Sequence, residues 1–334
     1  MKEALLWERD DDGAAACGLC AHRCRISQGK SGICSVRAND GGTLYTNAYG
    51  RAVAEHVDPV EKKPLYHFLP SSQTFSVAAA GCNFKCDFCQ NWSISQAFGL
   101  RGVGDRGSAL TPQEITERAI KHKCRSVSYT YTEPTVFFEY ANDAARIAKD
   151  AGLKNIFVSN GYMSPEALRT IGPYLDACNI DLKSFSDDFY KSHCGARLAP
   201  VLDSLKLIRD MGIWLEVTTL VITGENDSDE ELRGIAGFIA NELGGVPWHV
   251  SRFFPMYRMA HHPMTDASSI ERALAAGREA GLQFVYAGNM DFAQDTLCPK
   301  CGETAIRRRG YATEICGMKG GRCKKCGAEI CGIF

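Results

Sequence analysis

The chain has 334 residues, of which 45% are hydrophobic and 23% charged, and its formal net charge is −1. This length fits one large domain with small attachments, or two domains. The near-zero charge gives no overall attraction to nucleic acid or anionic lipid, and no apolar run approaches the roughly 18 residues of a membrane-spanning helix.

Most of the 16 cysteines are clustered, and the start MKEALLWERDDDG has no apolar signal-peptide segment. In a reducing cytosol, close cysteine pairs more often hold metal than form disulfides. We therefore expect a cytoplasmic protein whose clustered cysteines are metal ligands.

Three segments differ in composition. Residues 1–70 form a Cys-rich N-terminal module that ends in the connector DPVEKKPLYHFLP. Residues 71–295 alternate between strand-like and helical stretches, and residues 296–334 form a basic, Cys-rich C-terminal module. We expect three units with these boundaries.

The N-terminal module has four cysteines in a C-x2-C-x3-C-x9-C spacing: Cys17, Cys20, Cys24 and Cys34. Four thiolates can hold one tetrahedral zinc ion or one [4Fe–4S] cluster. Zinc is the simpler interpretation, and a second cluster that relays electrons is the alternative.

The central segment predicts an α/β fold. Strand-like runs lie at 74–80, 126–132, 155–160, 178–183, 214–222, 249–254 and 283–288. Helices are predicted between them, with Thr111 and Ser164 as N-caps that are each followed by proline. This alternation predicts a parallel sheet, either a barrel or a doubly wound sheet.

A second cysteine motif follows the first strand-like run. The segment AAAGCNFKCDFCQNWSISQ spaces Cys82, Cys86 and Cys89 as C-x3-C-x2-C. Three thiolates can each take one iron of a [4Fe–4S] cube and leave the fourth iron open. A zinc loop or a chance spacing is the alternative, which the position directly after a strand disfavours.

Polar side chains follow the later strands, at the ends where parallel α/β barrels carry their active sites. The candidates, in chain order, are Glu133, Ser159, Asn160, Asp181, Lys183 and His249. Each also has a structural interpretation: a glutamate that starts a helix, a loop turn, an Asp–Lys ion pair or a core histidine. The sequence therefore predicts a polar site at the carboxyl ends of the strands.

The C-terminal module contains two knuckles, Cys298-Pro-Lys-Cys301-Gly and Cys323-Lys-Lys-Cys326-Gly. Two such turns at this separation are typical of a zinc ribbon with four thiolate ligands. Cys316 and Cys331 are left over. Because so small a module buries little apolar surface, Zn²⁺ would supply much of its folding free energy.

The order of these motifs resembles a known family. The Cys quartet, DPVEKKPLYHFLP, GCNFKCDFCQNWSISQ, YTEPTVFFEY, VSNGY, NIDLKSF and the terminal ribbon are similar to the AmmeMemoRadiSam-system radical enzymes, relatives of the pyruvate formate-lyase-activating enzyme. The resemblance implies a partial (β/α)6 TIM-like barrel that uses a [4Fe–4S] cluster and S-adenosylmethionine. In that family, reductive cleavage of S-adenosylmethionine gives a 5′-deoxyadenosyl radical that abstracts hydrogen from the substrate.

The resemblance also implies residue roles. It implies that Cys82, Cys86 and Cys89 ligate the cluster. The implied cofactor contacts are Glu133 with the amino group, Ser159 and Asn160 with the methionine end, Asp181 and Lys183 in an Asp-Leu-Lys motif, and His249 with the ribose. The chain departs from the family pattern at Tyr131-Thr132, where two glycines are usual, at Val158, where activases have Asp, and at Phe254-Pro255-Met256, where many relatives have His-Pro-Asp.

The implied partners are reduced flavodoxin or ferredoxin as electron donor, together with Memo-like and AMMECR1-like proteins. The substrate remains open between a glycine of a partner protein, which needs an open barrel mouth, and a small molecule, which needs a pocket closed by the chain's own termini. A further alternative is radical modification of RNA or tRNA bound by the basic Cys modules, which the net charge of −1 disfavours. A pure electron-transfer or metal-storage protein is the non-enzymatic alternative.

Overall fold

The computed structural model describes residues 1–96, 107–290 and 294–334. The N-terminal part is built from short strands, followed by a 3-10 turn at Val60–Lys62. These strands are β1 (Lys2–Glu3), β2 (Trp7–Arg9), β3 (Ala15–Cys17), β4 (Arg25–Ile26), β5 (Arg37–Asp40), β6 (Thr43–Thr46), β7 (Arg51–Ala52) and β8 (Ala54–Pro59).

The central part alternates strands with helices. Its elements are β9 (Gln73–Ala78), α1 (Trp92–Ser95), β10 (Ser108–Ala109), α2 (Pro112–Lys121), β11 (Ser126–Tyr129), α3 (Phe138–Asp150), β12 (Lys154–Ser159), α4 (Pro165–Ile171), β13 (Ala177–Asp181), α5 (Asp187–Phe189), α6 (Ala199–Asp210), β14 (Trp214–Val221), α7 (Asp229–Glu242), β15 (Trp248–Arg252), α8 (Ala267–Glu279) and β16 (Val285–Gly288). A π-helical turn at Tyr190–Cys194 follows α5, and 3-10 turns lie at Pro134–Phe137, Gly172–Tyr174 and Tyr257–Met259.

The C-terminal part consists of two small antiparallel sheets. Their strands are β17 (Thr296–Leu297), β18 (Thr304–Arg309), β19 (Ala312–Ile315), β20 (Met318–Lys319) and β21 (Arg322–Cys323).

Within the described residues, the main sheet has eight strands in the order β16-β15-β14-β13-β12-β11-β9-β8. In this sheet, β9 and the strands β11 to β16 pair in parallel, and helices connect them, as expected for crossover connections. Six strand–helix units followed by a seventh parallel strand confirm the predicted α/β class and partial (β/α)6 barrel. All seven predicted strand-like runs overlap these strands.

Local sequence explains where the helices begin. Thr111 and Glu114 form the predicted capping box at the start of α2, and Ser164 caps α4 in the predicted way. Both helices have proline in the first turn, where its missing N–H costs nothing.

Strand β8 is the element that sequence reasoning missed. It pairs antiparallel with β9 from Ala54 opposite Ala78 to Pro59 opposite Gln73, although it lies inside the predicted N-terminal module. Its sequence AEHVDP has no apolar run and carries no clear strand signal. The domain boundary near residue 70 stays a prediction.

The connector after β8 fills the end of the barrel where the central strands begin. Its backbone N–H groups at Tyr66 and His67 donate to the buried carboxylate of Glu216 at 3.0 and 2.8 Å, and Asn179 donates to the carbonyl of Pro64 at 2.8 Å. Buried Leu65 belongs to the apolar cluster that seals this end. The described residues include no helix that is long and apolar enough to cross a membrane.

Candidate active site

The loop after β9 carries the three motif cysteines, and its path is fixed by close packing. Gly81 has a φ of +104°, and a Cβ at this position would clash with Val36 and lie 3.1 Å from the carbonyl oxygen of Cys34. Only glycine accepts this conformation and this close approach without strain. The backbone N–H of Lys85 donates to the carbonyl of Cys194 at 2.8 Å, which anchors the loop to the π-helical turn.

Cys82, Cys86 and Cys89 line a cavity of about 300 Å³ at the carboxyl ends of the strands. The loops and strand ends around the barrel contribute the remaining walls. The other lining residues that bear on function are Thr130, Tyr131, Glu133, Ser159, Asn160, Asp181, Lys183, Thr218, Ser251 and Asn289. The fold therefore brings every predicted site residue of the barrel except His249 to one cavity.

The three thiols fit an iron–sulfur cluster. Burial raises the pKa of Cys82 and Cys89, and a hydrogen bond with Cys194, together with burial, raises the pKa of Cys86. A buried thiolate needs a compensating cation, which iron supplies. In the described residues, the sulfurs of these three cysteines do not all lie within 4.8 Å of one another. That spacing suits thiolates on separate corners of a cube better than ligands of one ion.

Glu133 organises the polar side of the cavity. Its carboxylate accepts hydrogen bonds from the hydroxyl of Ser159 and the backbone N–H of Asn160, both at 2.8 Å, and from the backbone N–H of Thr135 at 3.0 Å. The Asn160 amide in turn donates to the side-chain oxygen of Asn83 at 2.7 Å. Burial raises the pKa of Glu133. The network joins the turn after β12 to the cysteine loop, and it includes the helix-starting contact expected as the structural alternative.

Asp181 and Lys183 form an ion pair of 2.8 Å on the wall of the same cavity. Burial acts to lower the pKa of Lys183, but the charges of Asp181 and Cys86 outweigh it and hold the pKa well above its usual value. Lys183 is therefore a cation beside the cysteine loop, with a ring of Phe88 5.7 Å from its nitrogen.

His249 lies elsewhere. Its Nε2 is 2.6 Å from a carboxylate oxygen of Glu216, and it lines a second cavity of about 410 Å³. Ser251 and Asn289 border both cavities, which makes the two neighbours. The second cavity is also lined by Glu61, Pro64, Tyr66, Gln294, Gly310 and Tyr311. The predicted ribose contact of His249 stays a prediction.

Sequence reasoning missed two contributors to the site. Asn289 follows β16 and would be expected at a strand end only once β16 is known to be in the barrel. Cys194 lies outside the cysteine clusters of the sequence, but its thiol is a hydrogen-bond partner of that of Cys86. The turn that carries it docks on the cysteine loop, and no sequence signal predicts this docking.

The C-terminal cysteines converge as predicted. The ligand atoms of Cys298, Cys301, Cys323 and Cys326 all lie within 4.8 Å of one another, and the sulfur of Cys298 is 3.5 Å from that of Cys326. This spacing fits one tetrahedral ion, and zinc as its identity stays a prediction. Cys316 instead donates to the carbonyl of Thr304 at 3.4 Å, and Cys331 is exposed.

Comparisons with known proteins agree with this geometry. Residues 77–235 match the family model described as the Radical SAM superfamily. An uncharacterised protein of Methanocaldococcus jannaschii is 42% identical over 335 residues, which cover 99% of each chain. The pyruvate formate-lyase-activating enzyme of Clostridium pasteurianum is 25% identical over 167 residues, 48% of this chain and 67% of that enzyme. The crystal structure of Streptococcus suis SuiB bound to S-adenosylmethionine shares the fold, with a TM-score of 0.50 at 14% identity over 62% of this chain and 48% of that chain.

Proposed function

Because this chain belongs to the radical SAM superfamily, we propose that Cys82, Cys86 and Cys89 hold its [4Fe–4S] cluster and that S-adenosylmethionine binds in the cavity they line. The protein is a radical SAM enzyme, and its cofactors are those of the superfamily. Cluster and S-adenosylmethionine together supply a carbon radical that takes a hydrogen atom from the substrate.

The chain's own residues bind and orient the cofactor. In the described residues, three thiolates line the cavity, so a [4Fe–4S] cluster held by them would leave one iron for the amino-acid end of S-adenosylmethionine. Glu133 accepts from the amino group, with Ser159 and Asn160 beside it. Asp181 offers carboxylate acceptors, and Lys183 offers the ammonium donors that Asp181 does not use, to the polar parts of the cofactor.

We infer a small molecule as substrate, and the second cavity carries this inference. It adjoins the cofactor cavity, and its walls include the connector residues Glu61 and Tyr66 and the C-terminal residue Tyr311. Segments from both ends of this chain therefore form part of the wall of the second cavity. A cavity of about 410 Å³ has the size of a small-molecule pocket.

The chemistry of this cavity favours a polar substrate with a hydrogen-bond donor. Its lining includes Glu61, whose carboxylate can only accept hydrogen bonds, as from an amine or hydroxyl of a substrate. His249 and Tyr66 add polar groups to the same lining.

The finer family assignment is also part of the proposal. The motif order supports membership in the AmmeMemoRadiSam-system family, with reduced flavodoxin or ferredoxin as donor and Memo-like and AMMECR1-like partners. A reducing, cytoplasmic compartment suits the free thiols. RNA binding receives less support, because Arg307, Arg309 and Lys325 of the C-terminal module pair with carboxylates.

The test uses anaerobic, reconstituted protein with S-adenosylmethionine and dithionite. Cell extract is separated by size, and each fraction is assayed for 5′-deoxyadenosine formation and, after growth in deuterated medium, for deuterium in that product. The low-mass fraction is expected to stimulate both readouts, and Glu61→Gln should weaken the stimulation without changing the cluster spectrum. Stimulation by the protein fraction alone would overturn the small-molecule proposal in favour of glycyl-radical formation on a partner.

A further inference from the structure

The four N-terminal cysteines form a group of their own beside the active site. Cys17 ends β3, and Cys20, Cys24 and Cys34 lie in the turns around β4. The backbone N–H of Cys17 donates to the carbonyl of Cys24 at 2.8 Å, and the backbone N–H of Gly32 donates to the carbonyl of Arg37 at 2.9 Å. The four cysteines therefore belong to one small folded unit, and nothing in the assigned active site uses them.

The spacing of these sulfurs differs from that of the C-terminal quartet. One zinc ion about 2.3 Å from each of four sulfurs keeps the sulfurs within about 4 Å of one another. The C-terminal four meet the 4.8 Å limit, whereas in the described part of the chain no three of the N-terminal four do so. A [4Fe–4S] cube attaches each thiolate to a different iron and therefore needs the wider spacing. In the described residues, the N-terminal quartet is like Cys82, Cys86 and Cys89 in that no three of its sulfurs all lie within 4.8 Å of one another.

The quartet also lies directly against the cysteine loop. His22 Nε2 is 2.8 Å from the carbonyl oxygen of Asn83, and the backbone N–H of Ala21 donates to the carbonyl of Tyr162 at 3.1 Å. The carbonyl oxygen of Cys34 would be 3.1 Å from a Cβ on Gly81. Since Gly81 immediately precedes Cys82, the Cα atoms of Cys34 and Cys82 are within about 11 Å of each other.

Hydrogen bonds to the sulfurs suit a redox centre. The guanidinium of Arg37, which is buried and paired with Glu139, donates to the sulfur of Cys17 at 3.3 Å. Such bonds and burial are the means by which a protein sets the potential of an iron–sulfur cluster.

We propose that Cys17, Cys20, Cys24 and Cys34 hold a second [4Fe–4S] cluster, ligated entirely by protein thiolates. Its position against the cysteine loop makes it a one-electron relay. It takes one electron from a reduced flavodoxin-type or ferredoxin-type donor and passes that electron to the cluster of Cys82, Cys86 and Cys89. The relay ends in its starting oxidation state, so no further reactant is needed.

Metal content of the anaerobically reconstituted wild-type protein tests the proposal without any variant. About eight irons per chain are expected, in two cubanes. About four irons with two zinc ions, or about four irons with the N-terminal quartet empty, would overturn it. Metal analysis is paired with electron paramagnetic resonance, which separates a reduced cubane from loosely bound iron.

Three variants assign the irons. The triple variant Cys82→Ala, Cys86→Ala, Cys89→Ala should keep about four irons and a reduced cubane signal that does not respond to S-adenosylmethionine. The double variant Cys20→Ser, Cys24→Ser should lose about four irons and keep the responsive signal. The control Cys298→Ser, Cys301→Ser should keep all the iron of the wild type.

A triple variant without a cubane would refute the second cluster even if the double variant fails to fold. The proposed function stands apart from this result. If wild-type protein forms no 5′-deoxyadenosine but the triple variant keeps its cubane, the proposed function fails and the second cluster stands.

Discussion

Acid should destabilise the folded protein where the barrel, the connector and the C-terminal tail meet, because His67 is buried there in its neutral form. The imidazole donates from Nδ1 to the carbonyl of Cys331 at 2.7 Å, and its Nε2 accepts from the hydroxyl of Tyr286 at 2.6 Å. The ring packs against Phe284, with centroids 4.3 Å apart. Burial lowers the pKa of His67 from 6.5 to about 4.

The direction of the pH effect depends on whether the folded or the unfolded state binds a proton first as the pH falls. The unfolded chain protonates His67 as the pH falls below about 6.5, whereas the folded protein keeps it neutral down to about pH 4. Protonation therefore favours the unfolded chain across this window, and the loss of stability is complete below the folded pKa. Between pH 7 and pH 5 the expected loss is about 2 kcal/mol, at 1.36 kcal/mol per pH unit below the unfolded pKa.

The assay is anaerobic urea unfolding, followed by tryptophan fluorescence, of wild type and His67→Gln at pH 7, 6 and 5. The variant should be less stable at pH 7, but it should lose about 2 kcal/mol less than wild type between pH 7 and pH 5. Acid effects on the metal sites are common to both proteins and cancel in the difference. The exposed His122→Gln serves as control and should follow wild type. Equal losses in wild type and His67→Gln would refute the assignment of a buried neutral imidazole.

Two further substitutions test the active site. Gly81→Ala adds a Cβ against Val36 at a positive φ, so we expect a loss of about 3 kcal/mol in urea unfolding together with reduced iron content. Gly152 has a similar φ of +81°, but a Cβ there would meet open space. The control Gly152→Ala should therefore lower the free energy of unfolding by only about 1 kcal/mol and keep the iron content of the wild type. Equal effects of the two substitutions would contradict the packing argument. Asp181→Asn removes the charged partner of Lys183 and should weaken S-adenosylmethionine binding about tenfold, or about 1.4 kcal/mol. The affinity is measured by titrating the paramagnetic resonance signal of the cluster with S-adenosylmethionine. An unchanged affinity would show that Asp181 is not part of the cofactor site.

Much of the fold could be predicted because parallel strands and their helices have strong local signals. The apolar runs at 126–132 and 155–160 became β11 and β12, and the Thr111 capping box began α2 as predicted. Strand β8 could not be predicted, because AEHVDP is polar and becomes a strand only by pairing with β9.

The candidate site could be predicted from the sequence to a similar extent as the fold. The spacing of Cys82, Cys86 and Cys89 identified the cysteine loop, and the residues after each strand identified the cavity walls. The positions of His249 and Cys194 could not be predicted. The contact of His249 with Glu216 depends on the register in which β14 and β15 pair. The contact of Cys194 with Cys86 depends on a turn docking from more than a hundred residues away.

The sequence by itself determined the chemistry available to this protein: three thiolates on one loop, two cysteine quartets, and polar residues at the ends of strands. Ligand type and spacing along the chain are local properties, so they can be read without a structure. Only the tertiary structure decided how these parts meet. Three features depend on packing between segments that are far apart in the chain: the distance between sulfurs of one quartet, the contact of Cys34 with Gly81, and the cavity lined by Glu61 and Tyr311.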